Sequence, residues 1–197
     1  MNEKLKDSVS MYFDRLREYG LHGNGDSVSV RAEGGMYFVD NTREVKFIPA
    51  GKADGEAALH EGIYAATDAQ AVVHAHPDYV NAVSKAGVTI PAVIDDMAQI
   101  VGPTCRTAND AAAAAKELKK RNSCLIKEDG AVTTGRTLNE AFTCIMVLQK
   151  AAICLVSGCV LGGNVVINGL EARLMRFVYK KKYSKINTEN NLEREGK

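Results

Sequence analysis

The run Ala71-Val72-Val73-His74-Ala75-His76-Pro77 constrains this chain more than any other. Three apolar residues lead into two histidines one residue apart, and a proline closes the segment. In a strand, the period of two sends His74 and His76 to one face and Val73 and Ala75 to the other. Pro77 lacks a backbone donor and ends the ladder, so the pair falls at a strand end within reach of loops. Two imidazoles on one face of a rigid element are half of a transition-metal site. They are equally a pair of hydrogen-bonded polar residues at a strand end, and the segment alone leaves both readings open.

The rest of the composition narrows the field. The 197 residues are 46% hydrophobic with a formal net charge of +1, which suits a single domain over 1–197 with a substantial core. That balance gives no reason to invoke nucleic acid or a membrane surface. Met1 to Arg17 is amphipathic and charged, unlike a signal peptide, and no apolar run is expected to reach the ~20 residues of a spanning helix. A cytoplasmic protein is expected. Cys105, Cys124, Cys144, Cys154 and Cys159 have no Cys-x-x-Cys spacing and are read as reduced and structural.

In chain order, Leu5 to Tyr19 has the spacing of a helix face through Val9, Tyr12, Phe13 and Leu16, with Gly20 as its stop. The loop Leu21 to Asp26 precedes an alternating strand, Ser27 to Arg31. Met36 to Val39 and Glu44 to Ile48 form a meander about Asp40-Asn41, and Ala57 to Ala66 is helical. Glu56, in or near that helix's first turn, suits the helix dipole even without a chemical role.

Beyond Pro77, Tyr79 to Lys85 is a short helix, Thr89 to Ile94 is extended, and Asp95-Asp96 open a helical turn. Asn109 or Asp110 caps a helix through Lys120. Cys124 to Lys127 and Ala131 to Thr134 are strands about the turn Glu128-Asp129-Gly130. Thr137 and Glu140 form a capping box for a helix to about Ser157. Leu170 to Tyr183 is a last helix, basic toward its end at Lys180 to Lys182, and 187–197 reads as a solvated tail. Helices alternating with mostly antiparallel hairpins predict a three-layer α/β/α sandwich with a mostly antiparallel central sheet.

The order of these segments resembles the class II aldolase/adducin family, typified by fuculose-phosphate aldolase and ribulose-phosphate 4-epimerase. The likeness spans roughly residues 5 to 165. It is carried by Val28-Ser29-Val30-Arg31; Glu56-Ala57-Ala58-Leu59-His60 with Ile63-Tyr64; Ala71 to His76; Ile90-Pro91-Ala92; and Gly130-Ala131-Val132 with Gly135 and Leu138.

The resemblance implies a divalent metal, usually zinc, on three histidines. His74 and His76 match two of them, and the third belongs to an Asn-His-Gly turn that here contains Asp129. Two histidines and a carboxylate still suit zinc, iron, manganese or cobalt, while Asp-Gly also simply makes a tight turn. Glu56 falls on the proton carrier of the family's aldolases, and His60 on a histidine read as packing or support. Such a metal absorbs the charge of an enediolate when a carbon–carbon bond beside a carbonyl breaks, and a nearby carboxylate moves the proton.

Other places depart from the family. Its phosphate-binding segments read Asp26-Ser27, Ala50-Gly51 and Asp54-Gly55 here, and the two aspartates would repel a phosphate. Either the substrate is not a sugar phosphate, or it is held by Arg31, Lys52 and the Gly23 to Gly25 loop with Asn24. Asp95 stands where the aldolases carry a tyrosine and is an acid candidate, with a cap or surface carboxylate as the alternative. The expected function is a metal-dependent aldolase-type lyase acting on a small hydroxy-carbonyl compound, with the same site able to support epimerisation or decarboxylation. The rival is a catalytically silent, adducin-like member. The resemblance also implies a homotetramer with sites between subunits.

Overall fold

The structure, a computed structural model, describes residues 2–163 and 165–181. Helix α1 (Glu3–Glu18) buries Val9, Tyr12, Phe13 and Leu16, the stripe its spacing predicts. Strands β1 (Ser27–Ala32), β2 (Gly35–Asp40) and β3 (Lys46–Pro49) form the meander. They are followed by α2 (Gly55–Ala66), β4 (Ala71–Ala75) and α3 (Asp78–Ala86). Next come β5 (Ile90–Pro91), a π-helical turn (Met97–Val101), β6 (Thr104–Cys105), β7 (Thr107–Ala108) and α4 (Ala111–Leu118). The chain continues through β8 (Ser123–Ile126), β9 (Ala131–Gly135), α5 (Leu138–Val160) and a helix α6 over 169–181.

Seven strands make one sheet in the order β3-β2-β1-β4-β9-β8-β7, and β4, which carries the histidine motif, is its centre. Every pairing is antiparallel except β7 with β8. That pair is joined through α4, the crossover that parallel neighbours need. Alternation along β4 divides the core. Ala71, Val73 and Ala75 pack with residues of α1, α3 and α5 on one face, while Val72 packs with those of α2 and α4 on the other. Two helical layers therefore enclose the sheet, as the sandwich pattern predicts.

Several local expectations shift. Only Ile90–Pro91 of the extended Thr89 to Ile94 is strand, paired with Thr104–Cys105 outside the main sheet. The helical turn after Asp95-Asp96 is a π-turn, closed where the Gly102 N–H donates to the Met97 carbonyl at 2.7 Å. Strand β3 starts at Lys46 rather than Glu44, and α5 runs on to Val160. At 23 residues, α5 is by length and composition long and apolar enough to cross a membrane, contrary to the sequence expectation. Its buried residues from Leu138 to Ala152 instead fill the core on the α1 side of the sheet. The tail over 187–197 and Lys182 lie outside the described residues.

Candidate metal centre

Strand register assembles the site. His74 is opposite Ser27 of β1 and Val132 of β9, and it shares the face of Val72, under α2. His76 follows at the strand's end, beside the start of β1 and the turn that joins β8 to β9. In that turn the Asp129 N–H donates to the Ile126 carbonyl at 3.0 Å, with Glu128 and Gly130 at φ 65° and 62°. Asp129 is thereby brought over the two imidazoles.

Both rings are aimed the same way. The Nε2 of His76 lies 3.0 Å from Asp129 Oδ1, and that of His74 lies 3.8 Å from Asp129 Oδ2. The Nδ1 atoms point outward to separate carboxylates, His74 to Glu56 Oε2 at 3.3 Å and His76 to Asp26 Oδ1 at 3.0 Å. His74 Nε2–H also donates to the Asp129 carbonyl oxygen at 2.8 Å. The ring centroids stand 4.6 Å apart, and both histidines are buried while Glu56 and Asp129 are half exposed.

Glycines let the backbone close on His76. A Cβ on Gly23 would sit 2.6 Å from the His76 Cβ, and one on Gly130 would sit 2.7 Å from its Cδ2. Gly25, at φ +93°, would place a Cβ 3.2 Å from Cε1. Side chains at these places would displace the ring, so the glycine-rich loop serves close approach.

The electrostatics follow from these contacts. Burial pushes the His76 pKa down, but hydrogen bonds to Asp129 and Asp26 outweigh it and raise the value to about 9. The same bond to His76 is the main cause that holds the Asp129 carboxyl below its ordinary value. His60 behaves in the opposite way: burial, helped by nearby His74, lowers it to about 3. Its ring nitrogens sit 2.8 Å from Ser27 Oγ and 2.7 Å from Ser29 Oγ, and Ser29 Oγ is 2.7 Å from the Tyr64 hydroxyl. His60 is thus a neutral, internally satisfied histidine under the sheet, in the supporting role expected of it.

The residues named from sequence divide. Glu56, His74, His76 and Asp129 come together, and Gly25 lies on the His76 ring. Asn24 is exposed beside it, and Lys52 is exposed in the turn ahead of α2. Arg31 is elsewhere: it lies four residues along β1 from Ser27, about 13 Å of strand. Its guanidinium donates to the carbonyls of Tyr64 at 2.7 Å, Thr67 at 3.2 Å and Ala69 at 3.0 Å, closing the end of α2. Asp95 is exposed, and its side chain makes no hydrogen bond or ion pair among the described residues. Asp26 was missed as a partner of the histidines, because sequence alone marks it only as unfavourable to phosphate. The signal was its place immediately before Ser27, but using it requires the β1–β4 register.

These donors fit a divalent cation. Ligand atoms of His74, His76 and Asp129 all lie within 4.8 Å of one another. Imidazole nitrogens with a carboxylate suit zinc and its first-row neighbours. Glu56 and Asp26 at the outer nitrogens are the carboxylate–histidine supports that metal-bound imidazoles ordinarily have.

The family model for the Class II Aldolase and Adducin N-terminal domain matches residues 21–156, from the glycine loop well into α5. The chain belongs to the class II aldolase and adducin family. A comparison with curated proteins finds no sequence match. Among solved structures it is similar to an L-fuculose 1-phosphate aldolase at 22% identity and a TM-score of 0.83, over 91% of this chain and 98% of that one. It is also similar to the l-fuculose-1-phosphate aldolase of Thermus thermophilus, at 20% identity and TM-score 0.72, covering 84% and 100% of the two chains. YgbL from Klebsiella pneumoniae, named only as a candidate aldolase, epimerase or decarboxylase, matches at 20% identity and TM-score 0.74, over 88% and 98%. At these identities the likeness establishes the fold.

Proposed function

We propose that this chain is a metal-dependent, aldolase-type lyase that cleaves a carbon–carbon bond in a small hydroxy-carbonyl compound, sugar or sugar-phosphate-like. One observation carries the reading: the Nε2 atoms of His74 and His76 converge on the Asp129 carboxylate while their Nδ1 atoms are held by Glu56 and Asp26. When bound there, a divalent cation supplies Lewis-acid stabilisation of the negative charge left by bond cleavage. Zinc is our first choice, and Fe2+, Mn2+ or Co2+ also suit the donors.

The chain's own residues do the rest. Asp26 fixes the tautomer and angle of His76, and Asp129 gives the donor set one negative charge. Glu56 has one oxygen on His74 and a half-exposed carboxylate, so it can take or deliver a proton at a carbon placed before it. Asn24 and Gly25, in the loop against His76, and the exposed Lys52 ahead of α2 would orient the substrate. Asp95 is retained only as a candidate acid in an assembly where a second subunit approaches. A homotetramer, with α6 at a subunit contact, is supported by the exposed apolar side chains of Leu170, Leu174 and Phe177.

Metal analysis of protein purified without added metal, paired with an aldehyde-release assay on hydroxy-carbonyl compounds, tests the reading. About one divalent ion per chain is expected, lost in His74→Ala. Glu56→Gln should lose cleavage even when saturated with the ion, with metal affinity lowered by no more than the roughly 10–100-fold of an outer support. Protein that takes up no ion even when zinc is supplied defeats the proposal.

A second reading, a catalytically silent adducin-like member, is favoured by Arg31. Arg31 was a candidate to hold phosphate in place of the family's altered phosphate-binding segments, and here it is committed to backbone carbonyls. Tight metal binding without turnover of any compound tested would favour this reading.

A further inference from the structure

Arg31, the glycine loop and the turn with Lys52 are the groups that the sequence offers to a phosphate. The structure turns the arginine, and a backbone donor from each loop, toward the chain's own atoms. Arg31 donates to three carbonyls at the far end of α2. The Gly23 N–H donates to Asp26 Oδ2 at 2.7 Å, and the Gly51 N–H to Glu61 Oε1 at 2.6 Å. In both loops a carboxylate of the chain takes a donor that an incoming oxyanion would use.

The N-terminus of α2 is treated in the same way. It begins beside His74, with Asp54 at its N-cap and Glu56 in its first turn. The positive end of the helix dipole is thus matched by resident carboxylates.

The stretches that border the metal centre share one sign of charge. Leu21 to Ser27 contributes Asp26, and Pro77-Asp78 contributes Asp78. Lys52 to Glu56 sets Asp54 and Glu56 against one lysine, and Lys127 to Gly130 sets Glu128 and Asp129 against another. Each of the four has one more carboxylate than ammonium group, so a divalent cation offsets half of the excess. The whole chain is at +1, which makes this negative concentration local to the site.

Such surroundings suit hydroxyl groups. Glu56 and Asp129 are half exposed and accept hydrogen bonds, and Asn24, exposed on the glycine loop, both donates and accepts. A sugar hydroxyl can donate to any of them, whereas a phosphate brings oxygens of like charge.

Building on the lyase reading, we propose that the substrate is an uncharged polyhydroxy aldehyde or ketone, and that its phosphate ester is excluded, in part by Asp54. The glycine loop then serves His76 and the substrate's hydroxyls rather than an anion.

Calorimetric titration of the zinc-loaded chain with glycolohydroxamate and with its phosphate ester tests this, because both chelate zinc through the hydroxamate and differ only in the phosphate. One site per chain is expected, with the ester bound at least tenfold more weakly. In Asp54→Asn, where asparagine still suits the N-cap and no side-chain cap bond is lost, that gap should narrow threefold or more. An unchanged gap in this variant overturns the part given to Asp54. Zinc-loaded protein that binds the ester as tightly as the neutral probe, or binds neither, overturns the proposal and leaves the metal site standing. Protein that takes up no zinc defeats the lyase reading itself, and the uncharged substrate with it.

Discussion

A single carboxylate oxygen of Asp26 holds His76 twice, accepting the ring Nδ1–H and the backbone N–H at 3.0 Å each. The other oxygen accepts the Gly23 N–H at 2.7 Å, which ties the glycine loop to the end of β4. Asp26 is buried, so these bonds are shielded from water. It therefore fixes both the ring and the loop that packs on it.

Asp26→Asn should preserve the shape of this contact but remove its charge. Outer supports of metal-bound histidines are worth about 10–100-fold in metal affinity. We expect a zinc affinity lower by that factor in chelator competition. Asp26→Ala also strands buried N–H groups, at about 1–3 kcal/mol for each one left unpaired. Its urea midpoint should fall further than that of the asparagine variant. Equal zinc affinity in wild type and both variants would show that His76 does not ligate.

The raised pKa of His76 gives a pH signature of its own. Because the folded value of about 9 exceeds the ordinary 6.5, the metal-free folded chain holds a proton that the unfolded chain releases. That stabilisation is complete below about pH 6.5 and disappears as pH rises through about 9. A cation at His76 must displace the same proton, so zinc binding should strengthen from pH 6.5 to 9, by up to about tenfold per unit. Proton release on binding, measured in buffers of differing ionisation enthalpy, should shrink above pH 9. Zinc affinity that stays flat across this interval contradicts the assignment.

Much of this was legible in the residues, for identifiable reasons. The alternation from Ala71 to His76 fixed which side chains share a face, and the core divides Val72 from Val73 and Ala75 accordingly. The α1 stripe and the caps at Asp110 and Thr137 are local signals, and each is present. Glu140 completes its capping box differently, accepting from the Arg136 N–H at 2.9 Å rather than from that of Thr137. What sequence could not supply was register. Asp26 meets His76 across fifty residues, and Arg31, on the same strand, is carried away from the site to the end of α2. The two-residue strands β5, β6 and β7 are too short to leave a periodicity.

Asp129→His asks what the turn residue contributes. The substitution exchanges an anionic donor for a neutral imidazole at a half-exposed position, so the fold should tolerate it. A bound cation would then keep one more positive charge and act as a stronger Lewis acid. We expect retained zinc binding, a changed preference among zinc, cobalt and manganese, and faster aldehyde release if the chain is a lyase. Asp129→Ala should instead weaken zinc binding by at least tenfold. If all three proteins bind the three metals alike, Asp129 is only a turn residue.

His60 makes the last prediction, and it concerns acid. The side chain is fully buried, both ring nitrogens are occupied by serine hydroxyls, and its pKa falls to about 3. Below the ordinary value of 6.5 the unfolded chain takes up a proton that the folded chain refuses. The contribution of the neutral ring is therefore intact above pH 6.5 and is lost progressively as pH falls toward 3. His60→Gln keeps a donor and an acceptor near Ser27 and Ser29 but cannot titrate. It should cost about 1–3 kcal/mol at pH 7, from imperfect hydrogen bonding in a buried site. Between pH 6 and 4 the gap to wild type should narrow in urea melts, because only wild type loses the histidine contribution. Parallel stability curves for the two proteins across that range would mean that His60 is not held neutral by its burial.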